Sequence, residues 1–141
     1  MKYKYQADLD ATPETCPPDN FVNKDIEAFR WVFDELENIE NFKPLAKKNP
    51  ARVLSMDDKS KCIAYSLSMF NSQEAAKSRF EFLHKTMKDK AYKLLGTKIA
   101  KGNIEKNHGV NSNSGKNGHF SHFQYQSVDF TTIFKIVEIL K

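Results

Sequence analysis

Residues 61–95, KCIAYSLSMFNSQEAAKSRFEFLHKTMKDKAYKLL, decide the fold. The apolar run 62–70 reads as a strand, and it leads into the strongest helical pattern of the chain, over 71–94. Along that helix Ala76, Phe80, Leu83, Met87, Ala91 and Leu94 recur at steps of three and four, which sets them on one stripe facing a core. Asn71 with Glu74 three residues on resembles a capping box, Glu81 precedes Lys85 in the favourable i,i+4 order, and Gly96 marks the end. On the strand, Ile63, Tyr65, Leu67 and Met69 share one face, while Cys62, Ala64, Ser66, Ser68 and Phe70 share the other. The smaller face suits either a closely packed helix or the floor of a ligand site.

Working outward, 141 residues with 40% hydrophobic content and eleven Phe suffice for one α+β domain with a core of its own. The expected architecture is a mixed or antiparallel sheet of about five strands, packed by the helix over 71–94 and a shorter one over 41–48. Cys16 and Cys62 do not make a secreted disulfide framework, so folding is expected to need neither disulfide nor metal. The opening MKYKYQADLD lacks the apolar core of a signal peptide, and no run of about 18 apolar residues is present. A cytoplasmic location with no membrane partner is the expectation that follows.

Taken in order, Tyr3, Tyr5, Ala7 and Leu9 alternate like an edge strand before Pro13, Pro17 and Pro18 impose an extended loop. Residues 28–33 read as a strand. Pro44 suits a first helical turn and Pro50 the region beyond its end; residues 52–61 read as a polar connection. Residues 97–104 form a short strand in which Gly102 marks a bulge or close approach. The Asn- and Gly-rich stretch 105–118 reads as loop, 119–125 as a strand, Asp129 as a cap, and 134–140 as a closing strand, with Phe130, Ile133, Phe134 and Val137 at a spacing that suits a helix as well.

Charge is unevenly placed: Lys and Arg against Asp and Glu sum to −3 over 1–60, +7 over 61–119 and 0 over 120–141. A basic middle points to an acidic partner, a protein first and nucleic acid second, or simply to a solvated helix face. Arg30, set among hydrophobes, calls for a carboxylate, a phosphate or an internal salt bridge. His119, His122 and Tyr125 join Arg30 as catalytic candidates, and Lys101, Lys106, His108, Lys116 and His119 as binding candidates. Because side chains alternate, His119 and His122 point to opposite faces of a regular strand, so no metal site is expected. No cofactor is expected either. Ser114-Gly115-Lys116 lacks the spacing of a phosphate-binding P-loop.

Cys16-Pro17-Pro18, Phe29-Arg30-Trp31-Val32, Asn41-Phe42 with Pro44, Cys62-x-Ala64-x-Ser66-Leu67-Ser68, Ile99-Ala100-Lys101-Gly102, Gly109 and His119 occur in an order that resembles a group of small bacterial proteins without an assigned activity. Ser66 stands where that group has Gly, and Phe123 and Tyr125 where it has tryptophans. The resemblance implies a component of a bacterial multi-protein system and no particular chemistry. A second resemblance, to ADP-ribosyltransferases, rests on Arg30, Ser66 or Ser68, and Glu138 in that order, without a paired Glu-x-Glu. The leading expectation is a binding module that meets a macromolecule through its basic face and residues 98–122. The alternative is an enzyme, directed at RNA or nucleotides through His119 with Lys and Tyr, or transferase-like through Arg30, Ser68 and Glu138.

Overall fold

Ile26–Val32 (β1) is rich in β-branched and aromatic residues, and such a strand is stable only with both faces covered. It lies inside a six-stranded antiparallel sheet, and the computed structural model describes residues 1–141. In chain order the elements are α1 (Gln6–Asp10), β1, a 3₁₀ turn at Ile39–Phe42, α2 (Leu45–Lys48), α3 (Pro50–Val53), α4 (Asp58–Ile63), β2 (Leu67–Phe70), α5 (Gln73–Met87), α6 (Lys90–Leu94), β3 (Lys98–Ile104), β4 (Gly109–Asn111), β5 (His119–Gln124) and β6 (Lys135–Ile139). The strand order is β4-β5-β2-β1-β3-β6. α+β is therefore right, with six strands instead of about five.

The two faces of the sheet are covered differently. Ala28, Val32, Leu67, Met69, Ala100 and Phe120 point to one face, where Phe42, Phe130 and Phe134 from loops and 3₁₀ turns close the core. Phe29, Phe70 and Ile99 point to the other, under Ala76 of α5 and beside Trp31. Further along that second face, Val110 and Phe123 are covered by Leu9 and Cys62.

Several expectations are corrected. Of residues 62–70 only Leu67–Phe70 is strand; Cys62 and Ile63 end α4, whose start is capped by Asp57 accepting from Ser60 N–H, and Ser66 Oγ donates to Ile63 O to close the turn. A local cap and turn win over a short apolar run that has no helical length of its own. The helix over 71–94 breaks at Lys88, whose φ of 54° no straight helix contains, and its cap is Ser72 accepting from Ala75 N–H, not Asn71. Asn71 instead donates its N–H to Gly118 O. Ala76, Phe80 and Ala91 are buried as the stripe predicts, while Leu94 is 64% exposed, because the break at Lys88 turns the last residues off that stripe.

The shorter helix over 41–48 resolves into the 3₁₀ turn and α2, separated by extended Lys43 and Pro44. Pro50 begins α3, and residues 52–61 carry helix, not an irregular link. In place of an edge strand over 1–9 the chain makes a single bridge, Tyr3 to Tyr125, and then α1 (Gln6–Asp10), and the loop expected over 105–118 contains β4. Cys16 and Cys62 are joined in a disulfide with a sequence separation of 46, contrary to the expectation of unlinked thiols.

At Gly102 the close approach is real: a Cβ there would meet the Phe134 ring at 2.8 Å. The bulge lies one strand over. Ile99 faces Glu138 and Ala100 faces Ile136, so Val137 is the extra residue on β6. The outer edge of β4 is covered by Val22, which exchanges two backbone hydrogen bonds with Asn111; β6 has a strand on one side only.

Candidate functional site

Arg30 stands on the loop-covered face at 8% exposure, and no carboxylate is within ion-pair distance of it. Its Nε donates to Asn41 O at 2.8 Å and its Nη1 to Ser68 O at 2.6 Å. β1 and β2 share one registered pair, Phe29 with Phe70, so the guanidinium supplies a donor where the ladder has ended. Asn41 extends the knot: its Oδ1 accepts Phe33 N–H, and its Nδ2 donates to Glu35 O and Leu36 O. Burial lowers the Arg30 pKa to about 10, which leaves the group charged at neutral pH. Lys48 lies over the Phe33 ring at 5.9 Å with its residue open to solvent; burial of the amine, then the Arg30 charge, lowers its pKa to about 8.

The histidines of β5 diverge as strand alternation requires. His122 is fully buried, with Nδ1 2.6 Å from Asn111 Oδ1, and burial lowers its pKa to about 3, His108 adding to the effect. His119, half-buried on the opposite face, meets the Phe70 ring edge-on at 5.6 Å; burial and then Arg79 hold its pKa below the usual imidazole value. The transferase-like set does not assemble: Arg30 touches only the backbone of Ser68, and Glu138 lies on the α5 side, held by Gln73 at 2.8 Å and Lys77 at 2.9 Å.

Other candidates do meet, at the end of the sheet where β1 begins and β3 ends. Asn23 Nδ2 lies 2.9 Å from each of Lys106 O, Gly109 O and Tyr125 Oη. Asp25 Oδ1 accepts Lys106 N–H, Tyr125 N–H is donated to His108 O, and Lys101 pairs with Glu27 at 3.1 Å. His108 Nδ1 accepts Glu105 N–H at 2.9 Å, and its Nε2 is 3.9 Å from Glu105 Oε2. An open cleft of about 670 Å³, lined by Asp25, Glu27, Glu105 and Lys106 among others, borders this group. Lys116 stands apart, exposed in the loop between β4 and β5.

Sequence reasoning named the basic helix face as a docking surface but passed over the aromatic side chain on it. Phe82 is 60% exposed and lies under the Arg79 guanidinium at 5.0 Å, with Lys85, Lys88, Lys90, Lys93 and Leu94 exposed along the same two helices. The signal was present: Phe82 falls between Phe80 and Leu83 and so off the apolar stripe. Asn23 and Asn111 were also missed, since an asparagine that ties backbone 83 to 87 residues away has no local sequence mark, and so was the side-chain role of Asn41, which ties Phe33, Glu35 and Leu36. Comparisons with protein-family models, with curated proteins and with solved structures found no match.

Proposed function

We propose that this chain is a binding module whose α5–α6 surface receives an acidic protein partner. The observation that supports this most is the solvent-exposed Phe82 capped by Arg79 on α5, with Lys85, Lys88, Lys90 and Lys93 exposed further along the same stretch of chain. Aromatic rings and arginine are enriched at the energetic centres of protein interfaces, and exposed cations on the same helices speed encounter with an acidic face. Glu74, Glu81 and Asp89 are interleaved with these cations. Such carboxylates repel any densely charged polyanion, and so favour a protein, whose acidic groups are interrupted by apolar side chains able to meet Phe82, over the uniformly charged backbone of nucleic acid.

The Cys16–Cys62 disulfide favours an oxidising compartment over the cytoplasm, where thiols are kept reduced. The enzyme alternative retains one observation, the half-buried His119 next to a cation able to hold phosphate, Arg79. It predicts turnover of RNA or nucleotides that His119→Ala abolishes.

The test is a titration followed by amide NMR shifts, using a glutamate-rich peptide that carries one leucine, and single-stranded oligothymidine in parallel. The peptide should perturb Phe82, Lys85, Lys90 and Leu94 first, bind several-fold more weakly to Phe82→Ala, and weaken as salt rises. Tighter binding of the oligonucleotide, or peptide shifts centred elsewhere, would sink the reading.

A further inference from the structure

Two acceptors on β5 are buried without a donor. His122 Nε2 and Gln124 Oε1 make no hydrogen bond, and the two residues are 0% and 6% exposed. Their orientations are set by the atoms on their other sides. Gln124 Nε2 donates to Val128 O at 3.2 Å, which turns Oε1 away from that carbonyl. Asn111 Nδ2 donates to Lys24 O at 3.4 Å, so its Oδ1 is the atom facing His122, and the 2.6 Å contact places the proton on His122 Nδ1. Nε2 is then a bare lone pair. A buried acceptor in this state is stabilised only by a donor from outside the chain.

His122 and Gln124 are two residues apart and project from the same face of β5. Both line one cavity of about 10 Å³, closed by Tyr3, Tyr5, Leu9 and Tyr65. That is the smallest volume that admits a single water, and His122 and Gln124 are the two non-hydrophobic residues of a lining that is otherwise rings and aliphatic side chains. We propose that this cavity binds one water molecule, which donates one O–H to His122 Nε2 and the other to Gln124 Oε1. Two acceptors demand a ligand with two donors, and the space holds nothing larger. The water bridges two side chains of β5 beneath the cover made by the first ten residues, and it favours the same imidazole tautomer as the Asn111 contact.

Oxygen-17 relaxation dispersion counts waters held for longer than molecular tumbling, and nitrogen-15 histidine spectra report the tautomer and whether Nε2 accepts a hydrogen bond. The native protein should show a protonated Nδ1 and a hydrogen-bonded Nε2. Both His122→Phe and Gln124→Met should lose one long-lived water. Should His122→Phe not fold, Gln124→Met keeps the test, since its Nε2 resonance should move to the position of a free lone pair. A native Nε2 that carries the proton or has a free lone pair, or a water count unchanged in Gln124→Met, overturns the proposal.

Discussion

His122 is the residue whose placement most changes what the molecule does with pH. Its folded pKa is lowered to about 3 from 6.5, so the imidazole stays neutral in the fold at pH values where the unfolded chain takes up a proton. Above 6.5 both states are neutral and the group adds no pH dependence. Between 6.5 and about 3 the unfolded state binds more protons, so stability falls with pH by about 1.4 kcal/mol per unit from this group. The expected outcome is a urea midpoint that declines from pH 6.5 downward, while the His122 Cε1 proton resonance of the native protein stays fixed to pH 4; a resonance that titrates near 6.5 would refute it. Arg30 shows the other side of residue-scale reading. The sequence marked it as a charge in need of a partner, and the partners are two carbonyls, Asn41 O and Ser68 O, which no spacing rule points to because one lies 11 and the other 38 residues away.

Among the elements, α5 and α6 were written in the sequence as a single helix, and the break between them depends on Lys88. At φ 54° and ψ −137° it occupies backbone territory that only glycine enters without strain. Lys88→Gly should therefore raise stability by about 1 kcal/mol, seen as a higher urea midpoint with an unchanged slope. An interior helical position would instead lose about that much on the same change. Periodicity could find the buried stripe, because Ala76 and Phe80 pack on the sheet, but it could not find the turn, because nothing about Met87-Lys88-Asp89-Lys90 opposes helix.

The same reasoning explains the rest of what was and was not legible. β-branched and aromatic content with alternation placed β1, β3, β5 and β6 to within about two residues, although β6 buries neither face and β1 and β5 bury both. It failed for residues 62–66 and for β4. In the first the caps of α4 decide, and in the second three residues become a strand only by pairing with β5. Of the candidate site, the opposed histidines followed from parity alone, whereas the meeting of Tyr125, Lys106 and His108 around Asn23 depends on contacts made across the sheet.

For the whole molecule, the Cys16–Cys62 disulfide fastens the amino-terminal cover onto α4. Closing a loop over a sequence separation of 46 stabilises a fold by about 4 kcal/mol on chain-entropy grounds. Reduction under native conditions should lower the unfolding free energy by about that amount. Hydrogen exchange should quicken first at Leu9, Val110 and Phe123, which pack around Cys62. Uniform loss of protection across the sheet would show instead that the link supports the entire fold.

The two margins of the sheet are also unequal: Val22 occupies the flank of β4, while β6 ends the sheet with Ile139 66% exposed and Val137 the extra residue of its bulge. Each copy thus offers one joinable rim. Strand-to-strand assembly between copies exhausts itself at a pair, and the chain has no geometric means of propagating into a fibril through its native sheet.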